Sequence, residues 1–294
     1  MSVTLKQLEA FVRIADLGSF RAAAERLNTT QPNISARIAA LEAVLDVTLM
    51  ERDAGSVRLT PRGRDLLEHA RAVLRQTETL IAASGRPGLF DGTLRLGVTE
   101  MIVHTWLQDF LRALRARFPK LSVELTVEMS AKLEEDLAVR RIDLALQNGP
   151  FARMASGTVT LGRYPMIWVA APSLGLSGAQ TAEGIAAHPV LTHARGTPPH
   201  AQVAGHFRAM EQAVRLVPSS NLAACLQMAV QGMGIAALPA AMARRELAAG
   251  EVEQLDYPWA PDDLVFAARY DARTAPGFVA EAAEIAREVD AAFS

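Results

Sequence analysis

Residues 19–42 decide the first part of the fold; they read Ser-Phe-Arg-Ala-Ala-Ala-Glu-Arg-Leu-Asn-Thr-Thr-Gln-Pro-Asn-Ile-Ser-Ala-Arg-Ile-Ala-Ala-Leu-Glu. The stretch predicts two short helices joined by a tight polar turn, the second opening with Gln31 and Pro32. Three consecutive alanines, 22–24, let the helices approach closely. A helix-turn-helix presents the first turn of a recognition helix to DNA in this way, although a short amphipathic pair is equally typical of plain core. The seam between the helices is formed by Leu27, Ile34, Ile38 and Leu41.

The bulk properties restrict the class of protein. At 294 residues, half of them apolar, the chain is long enough for two or three compact units. No run of about 18 apolar residues is available to span a membrane, and the first residues lack the pattern of a secretory signal. The single cysteine, Cys225, lies in an apolar run and is expected to be a buried small side chain and not a redox sensor. A cytoplasmic protein is therefore expected.

Net charge gives only weak support for nucleic-acid binding. The whole chain has a formal charge of −2, whereas residues 1–64 hold nine Lys or Arg against seven Asp or Glu. Contacts to DNA must therefore come from individually placed arginines and not from a basic field over the whole domain.

Three helices are predicted before residue 46. The first covers 5–17 and ends at Gly18, the second covers 19–27 with Ser19 as its cap, and the third continues from a cap at Thr29 or Thr30 to about Leu45. On a helical wheel the third helix has an inward face and an alanine-rich outward face. The inward residues are Ile34, Ile38, Leu41 and Leu45, and the outward ones are Pro32, Ala36, Ala39 and Ala40.

The outward face suits a helix that lies deep in the major groove, where methyl groups touch thymine. Gln31 at the helix start can pair with adenine, and the hydroxyls of Thr30 and Ser35 suit phosphates. Asn33 flanks the face, and Arg37 lies nearer the inward edge. Alanine is also simply the best helix former, so the face alone does not decide the function.

A small β-wing is predicted next, with extended pieces 48–52 and 56–59 around a turn at 53–55. Thr60 and Pro61 then begin a long helix whose positive end carries Arg62 and Arg64. Together with the recognition helix, the wing completes the set of candidate DNA contacts: Thr30, Gln31, Pro32, Asn33, Ser35, Arg37, Arg52, Arg58 and Arg62.

The long helix, 60–84, carries an apolar stripe at coiled-coil spacing. Its members are Leu66, Ala70, Val73, Thr77, Leu80 and Ser84, flanked by Leu67, Leu74 and Ile81. Dimerisation through this stripe is the favoured interpretation, and packing against its own chain is the alternative. A dimer would read operator half-sites related by a two-fold axis.

These residues resemble the DNA-binding domain of LysR-type transcriptional regulators. The family pattern stands here as Thr30-Gln31-Pro32, Ser35, Ile38, Leu41-Glu42, Arg52, Leu59-Thr60 and Gly63. The chain departs from the pattern where Ala36 replaces a frequent arginine, Asp46 a glycine and Met50 a phenylalanine. The resemblance implies a sequence-specific regulator that binds double-stranded DNA as a homodimer or homotetramer, with RNA polymerase as a further partner.

Beyond a hinge at 85–92, strands and helices alternate, which predicts a parallel sheet. The first unit reads strand 93–99, helix 102–117, strand 121–127, helix 132–140 and strand 142–147. A second unit starts near Pro165, with strands at 166–171, 190–193 and 235–238 and helices at 221–231 and 239–247. Strand 264–270 and helix 276–293 return to the first unit. Segments 141–146 and 230–239 resemble elements of the LysR effector-binding domain, which is built like periplasmic binding proteins.

The predicted fold is thus α/β with an N-terminal all-α winged helix-turn-helix, a linker coiled-coil helix and a two-lobed periplasmic-binding-protein-like effector domain. The expected boundaries are 1–59, 60–87 and 88–294. The first lobe covers about 93–164 and 265–294, and the second about 165–264.

The carboxyl ends of the strands place candidate ligand contacts in a cleft between the lobes. Free N–H groups at helix starts favour anions, so a small carboxylate-bearing metabolite is the expected effector. Glu100 argues against a purely anionic ligand, and Thr99, Ser130 and Asn221 are equally explained as helix caps. The candidates are Thr99, Glu100, Met101, Ile102, Ser130, Gln147, Asn148, Thr192, His193, Arg195 and Asn221.

Two other classes of function are disfavoured. An enzyme is not expected, because no nucleophile elbow, phosphate loop or dinucleotide fingerprint is present, so no catalytic residue and no cofactor is assigned. His193, His200 and His206 match no regular ligand spacing, so no metal site is assigned. A stand-alone solute-binding protein is disfavoured by the helix-turn-helix.

Overall fold

The structure is a computed structural model that describes residues 2–53, 56–83, 92–273 and 275–293. The chain divides into two compact units, residues 1–90 with 274–278 and residues 91–273 with 279–294. Among the described residues no helix is both long enough and apolar enough to cross a membrane.

The first unit begins with three helices whose ends follow from local capping. Helix α1 (Leu5–Leu17) starts with a reciprocal capping box between Thr4 and Gln7 and ends at Gly18, whose φ of 62° suits glycine. Helix α2 (Phe20–Arg26) is capped by the Ser19 hydroxyl, which accepts from the Ala22 N–H. Helix α3 (Gln31–Leu45) has its N-cap at Thr30. The three predicted helices are therefore confirmed to within one residue.

The core of this unit uses the predicted inward face of α3, with one exception. Ile34, Ile38 and Leu41 are buried, and the outward proline and alanines are exposed. Leu45 was expected to face inward but is 36% exposed. It is the last residue of the helix before Asp46, which takes a left-handed φ of 53°, so the chain turns away before Leu45 can reach the core.

The wing and the long helix follow as predicted. Strands β1 (Met50–Asp53) and β2 (Ser56–Leu59) pair antiparallel, and helix α4 (Pro61–Ala83) follows. Residues 54 and 55 of the predicted turn, residue 84 of the predicted long helix and residues 85–91 of the predicted hinge lie outside the described residues.

Helix α4 divides its apolar stripe between two environments. Leu66, Leu67, Ala70 and Leu74 belong to, or pack against, the core that α1–α3 build. Val73 and Leu80 are 47% and 73% exposed. The prediction of a coiled-coil seam is therefore wrong for the first half of the stripe, which packs against its own chain. The exposed side chains of Val73 and Leu80 are still available to a second chain.

The second unit contains two five-stranded sheets, one for each lobe. The lobe I sheet has strand order β4-β3-β5-β12-β6, formed by β3 (Thr93–Val98), β4 (Ser122–Val127), β5 (Leu144–Asn148), β6 (Gly157–Tyr164) and β12 (Leu264–Tyr270). Strands β3, β4 and β5 run parallel as predicted, but β12 runs antiparallel to both of its neighbours. The sheet is therefore mixed and not wholly parallel.

Helices cover lobe I: α5 (Glu100–His104), α6 (Leu107–Arg117), α7 (Ser130–Ala138) and α12 (Gly277–Phe293). The single helix predicted over 102–117 is broken at Thr105 and Trp106, because the indole of Trp106 is fully buried and donates to the Tyr164 hydroxyl at 2.7 Å. That buried anchor fixes a bend which helical periodicity does not reveal.

Lobe II has strand order β11-β7-β10-β8-β9, formed by β7 (Met166–Ala170), β8 (Val190–His193), β9 (Leu216–Ser219), β10 (Ile235–Pro239) and β11 (Glu253–Gln254). Its helices are α8 (Ala182–Ala186), α9 (Pro198–Ala209), α10 (Leu222–Val230) and α11 (Ala240–Ala248). The chain crosses between the lobes at Pro165 and again over 255–263, as the two-lobed prediction requires.

Candidate functional site

The first turn of α3 presents an exposed polar surface. Thr30, Gln31, Pro32 and Asn33 are exposed, whereas Ser35 and Arg37 are half-buried. Thr30 occupies the N-cap position without using its side chain as a cap. The Asn33 amide donates to the Thr29 hydroxyl at 2.9 Å, so Asn33 is held against its own chain.

Glu42 positions the wing against α3. One of its carboxylate oxygens accepts from the Leu49 N–H at 2.7 Å and from the Met50 N–H at 3.3 Å. The wing therefore starts from a point fixed by the recognition helix. Sequence reasoning used Glu42 only as part of a family pattern and missed this role.

A close approach also joins the wing to α4. The Thr60 hydroxyl donates to the Thr48 carbonyl at 2.7 Å and accepts from the Gly63 N–H at 2.8 Å. A Cβ on Gly63 would lie 2.0 Å from the Leu49 carbonyl oxygen, so only glycine fits there. The Leu-Thr-x-x-Gly pattern is therefore a backbone contact that places the start of α4 beside the wing.

The predicted arginines differ in their availability. Arg58 and Arg62 are exposed, and Arg58 lies opposite Glu51 in the wing. Arg64, proposed as a phosphate contact at the same helix end, donates to the Leu59 carbonyl at 3.0 Å. Arg52 pairs with Val57 in the strand register, while its side chain lies outside the described residues.

In the second unit, Glu100 links the two lobes. Its carboxylate accepts from the Leu222 N–H at 2.6 Å and from the Ala223 N–H at 3.3 Å, at the start of α10. The Asn221 side chain accepts from the Ala224 N–H at 2.6 Å, so the cap explanation holds for Asn221. The N–H groups at this helix start are thus already bonded by two side chains of the chain itself, so a ligand could reach those of Leu222 and Ala223 only by displacing Glu100.

Ser130, Asn148 and Gln147 form one network in lobe I. The Ser130 hydroxyl donates to the Asn148 amide oxygen at 2.8 Å and accepts from the Asn148 N–H at 3.2 Å. Ser130 does not cap α7, whose N-cap is Met129, so the capping explanation is wrong for this residue. Gln147 is fully buried; with its amide oriented to suit its neighbours, it donates to the Ser130 carbonyl and accepts from Arg269 at 2.9 Å.

Arg269 explains why Gln147 faces inward. Its guanidinium donates to Glu134 at 2.8 Å and lies 4.1 Å from the Phe151 ring centroid. Burial alone would raise the pKa of Glu134, but the Arg269 hydrogen bond and the backbone N–H groups of Arg153 and Ala152 outweigh burial and hold that pKa below its usual value. This buried ion pair was not predicted, since Glu134 and Arg269 lie far apart in sequence. Arg269 also donates to the Gln147 amide oxygen, and Gln147 as an effector contact stays a prediction.

Three other candidates carry buried polar atoms without a partner. The hydroxyls of Thr99 and Thr192 and both ring nitrogens of His193 make no hydrogen bond among the described residues. Burial lowers the pKa of His193 to about 4, with the charge of His200 as a smaller cause, so its ring is neutral at pH 7. Thr99 is the N-cap of α5 by position, but its side chain makes no cap bond. Buried polar groups usually have a partner, so these atoms call for a water or a ligand.

The remaining candidates separate into core and surface. Met101 and Ile102 are buried at 2% and 0% exposure, and their side chains pack in the core. Arg195 is exposed in the turn before α9. No group of three or more His, Cys, Asp or Glu in the described part of the chain is arranged to hold a metal ion.

Cys225 is buried on α10, with its sulfur 3.8 Å from the Thr192 carbonyl oxygen. Burial raises the pKa of its thiol, which disfavours the reactive thiolate. This placement confirms the expectation of a buried small side chain.

Each of the two units matches a known family. Residues 5–64 match the family described as bacterial regulatory helix-turn-helix protein, lysR family, and residues 87–291 match the family described as LysR substrate binding domain.

Individual relatives agree with these matches. The chain is 37% identical over 144 residues to a probable hydrogen peroxide-inducible genes activator of Streptomyces viridosporus, covering 49% of this chain and 46% of that protein. It is 29% identical to the transcriptional regulator AlsR of Bacillus subtilis, covering 65% and 64% of the two chains. The chain spans about half the length of the first two curated relatives that it matches.

Solved structures share the fold along the whole chain. A full-length OxyR variant from Pseudomonas aeruginosa, in which an aspartate replaces a cysteine, has a TM-score of 0.69 at 22% identity, covering 100% of this chain and 96% of that one. Full-length CbnR in complex with its target DNA has a TM-score of 0.58 at 22% identity, covering 97% and 99%.

Proposed function

The chain belongs to the LysR family of DNA-binding transcriptional regulators, which carry an effector-binding domain, and from that premise we propose how each of its two units works. The first turn of α3 reads bases in the major groove, and the two-lobed unit binds a small carboxylate-bearing metabolite. The protein is a regulator and not an enzyme. The observation that carries the proposal is the exposed first turn of α3, held by a packed core and by the Glu42 anchor of the wing.

The DNA contacts sort by the chemistry of the exposed residues. Gln31 has an amide with one donor and one acceptor side, which pairs with adenine in the major groove. Arg58 and Arg62 are exposed cations on the wing and on the start of α4, which suit phosphates. Thr30, Pro32, Asn33, Ser35, Arg37 and Arg52 complete the proposed surface.

Fluorescence anisotropy with promoter DNA tests the base-reading role. Gln31→Ala is expected to cost about 1–3 kcal/mol on the operator and almost nothing on random DNA, because it removes a base contact. Gln76→Ala is the matched control, since Gln76 is an exposed glutamine on α4. Equal losses on both DNAs would show that Gln31 does not read a base.

The phosphate role has a different signature in the same assay. Arg58→Ala should weaken binding to every sequence and reduce the slope of log affinity against log salt by roughly one unit. Binding that does not depend on salt at all would contradict the proposed DNA function.

The effector proposal rests on two features of the second unit. A carboxylate, that of Glu100, already bonds the first N–H groups of α10, which supports a carboxylate of a ligand as its replacement there. The unpartnered groups of Thr99, Thr192 and His193 supply neutral donors and acceptors for the rest of a polar ligand. Thr99→Val should abolish the response to the metabolite while operator affinity persists; a normal response would move the pocket elsewhere.

Peroxide sensing through a cysteine is disfavoured for this chain, although relatives at 37% and 34% identity are named as probable hydrogen peroxide-inducible genes activators. The chain has one cysteine, which is buried and whose pKa is raised by burial. A thiol in that setting reacts slowly with peroxide, and it has no second cysteine in the chain to pair with. Cys225→Ser is therefore expected to leave the regulatory response unchanged.

Assembly and domain boundaries complete the proposal. We assign 1–59 to DNA binding, 60–87 to a dimerisation helix with its hinge, and 88–294 to effector binding. A homodimer or homotetramer in the cytoplasm, where its DNA target lies, would read a two-fold operator and contact RNA polymerase. The exposed side chains of Val73 and Leu80 on α4 support the dimer.

A further inference from the structure

A cavity of ≈ 380 Å³ lies beside the point where the chain first crosses between the lobes. Its volume falls in the range of about 300–1,000 Å³ that is usual for small-molecule sites. None of the residues assigned above to DNA or effector binding lines it. The lining residues are Arg163, Tyr164, Pro165, Ala240, Ala241, Arg244 and Leu247.

Two elements build the walls. Arg163 and Tyr164 end β6, Pro165 forms the crossing to β7, and the other four residues lie on one face of α11. The cavity therefore touches the first crossing between the lobes and a helix of lobe II.

The two arginines make the cavity cationic. Arg163 Nη1 lies 3.6 Å from the Asp263 carboxylate, which is longer than a hydrogen bond. The Arg244 guanidinium lies 4.5 Å from the Phe293 ring centroid, and no carboxylate of the described residues comes within 4.0 Å of it. No lining residue is acidic; the neighbouring carboxylates are Asp263, 3.6 Å from Arg163, and Asp290, which accepts from the lining Tyr164 hydroxyl.

The rest of the wall is apolar or already bonded. The Tyr164 hydroxyl donates to Asp290 and accepts from Trp106, so the tyrosine offers only its ring. Pro165 and Leu247 add aliphatic surface. Helix α11 begins at Ala240 at the same wall; it has no side-chain cap, and its first N–H donates to the Pro165 carbonyl at 2.9 Å.

We propose that this cavity binds a small organic oxyanion, a carboxylate or phosphate on a compact apolar body, as a second ligand site. The oxyanion lies between Arg163 and Arg244, and the apolar body packs on Pro165 and Leu247. Arginine suits this role because its planar fork matches an oxyanion and stacks on aromatic rings.

A ligand in this cavity would act on the two segments that cross between the lobes. Arg163 precedes the first crossing and Asp263 ends the second, immediately before β12. An oxyanion that draws Arg163 away from Asp263 changes the link between the two segments that join the lobes. The effect is independent of the Glu100 contact at the other proposed site.

Isothermal titration of the full chain tests the site with three probes. Cyclohexanecarboxylate carries the charge and the apolar body, inorganic phosphate carries the charge alone, and cyclohexylmethanol carries the apolar body alone. Cyclohexanecarboxylate should bind saturably, phosphate more weakly, and the alcohol not at all. Amide exchange should slow in peptides covering 163–166 and 239–248.

Two variants and a control assign the binding to the arginines. Arg163→Gln and Arg244→Gln should each weaken cyclohexanecarboxylate binding by about tenfold or more, as expected for a lost charge-assisted hydrogen bond. Arg245→Gln, which removes the neighbouring exposed charge that does not line the cavity, should leave binding unchanged. Circular dichroism checks that each variant folds.

The contrary outcomes are equally definite. Any of four results would overturn the proposal: binding that survives both arginine variants, equal binding of the alcohol, no saturable binding, or slowed amide exchange at 99–104 and 219–224 in place of the cavity peptides. Loss of DNA binding in Gln31→Ala would not bear on it, so this site and the proposed function fail separately.

Discussion

The Glu100 carboxylate of lobe I accepts a hydrogen bond of 2.6 Å from the Leu222 N–H of lobe II. The same carboxylate reaches Ala223 at 3.3 Å, and its side chain is 18% exposed. A helix N-terminus attracts negative charge, so Glu100 occupies the position that an effector carboxylate would prefer. Glu100 therefore joins the lobes at the position where the proposed effector carboxylate would bind.

Removing the carboxylate should loosen the start of α10. In Glu100→Ala the amide hydrogens of Leu222 and Ala223 should exchange faster, and the free energy of unfolding of the second unit should fall by about 1–3 kcal/mol, because two donors lose their acceptor. Glu100→Gln keeps an oxygen acceptor, so its exchange rates and its free energy of unfolding should lie between those of the natural chain and Glu100→Ala. Hydrogen exchange read by mass spectrometry measures the change.

Glu128→Ala is the control for that experiment, since Glu128 is exposed and also belongs to lobe I. Unaltered exchange at both amides in Glu100→Ala would mean that the contact does not hold the lobes together.

Gly63 and Gly205 give a matched pair of helical glycines with opposite expectations. A Cβ at Gly63 meets the Leu49 carbonyl oxygen at 2.0 Å, whereas a Cβ at Gly205 in α9 meets nothing within 4 Å. Gly63→Ala should destabilise the first unit by about 1–3 kcal/mol through overpacking. Gly205→Ala should stabilise the second by about 0.5–1 kcal/mol through helix propensity.

Urea unfolding, with each unit followed by its own probe, separates the two effects. If Gly63→Ala stabilised the protein as Gly205→Ala does, the close approach of α4 to the wing would be disproved.

Most of the fold could be read from the sequence, because capping and periodicity are local signals. Ser19, Gly18 and Pro61 each mark a helix end, and the structure begins or ends a helix beside each of them. The features that the sequence did not predict depend on contacts between residues far apart in the chain. Trp106 breaks a helix because its indole reaches Tyr164, 58 residues away.

The candidate site was harder to predict, since position at a strand end does not say which way a side chain bonds. Gln147 was expected just after a strand, but it lies within β5 and bonds Arg269, which lies on another strand of the same sheet. Glu100 was placed near the cleft without a partner, and only the tertiary fold brings α10 to it. Both outcomes depend on residues more than a hundred positions apart, which no local pattern connects.

The buried ring of His193 should make stability depend on pH. Its pKa falls from 6.5 to about 4 in the folded protein. Between pH 6.5 and pH 4 the ring binds a proton in the unfolded chain but stays neutral in the folded chain. The stability that the neutral ring contributes is therefore complete above pH 6.5 and is lost as the pH falls toward 4. The loss amounts to about 3 kcal/mol near pH 4.

Urea unfolding at several values between pH 7.5 and 4.5 measures this loss. His193→Asn cannot take up the proton, so its curve should be flatter than that of the natural chain, and the two should converge toward low pH. His206, whose pKa is also lowered by burial, remains in both proteins and cancels in the comparison. Parallel curves would show that the His193 ring is hydrated or bonded when folded.

The uncovered half of the α4 stripe makes a prediction about assembly. Leu80 is 73% exposed and lies seven residues after Val73, which is 47% exposed, so the two share a face at heptad spacing. Burying a leucine of each protomer contributes about 1.5–3 kcal/mol per side chain. Leu80→Lys should therefore weaken dimerisation by at least about tenfold, as sedimentation over a range of concentrations would show.

Ala72→Lys is the control, because it adds the same charge on a side of α4 turned about 100° from Val73. The four residues that pack against the first unit's own core, Leu66, Leu67, Ala70 and Leu74, are untouched by either change, so the helix should remain folded in both variants. If Leu80→Lys dimerised as tightly as the natural chain, the stripe would not form the dimer contact. The alternative, that the stripe packs only against its own chain, would then be supported.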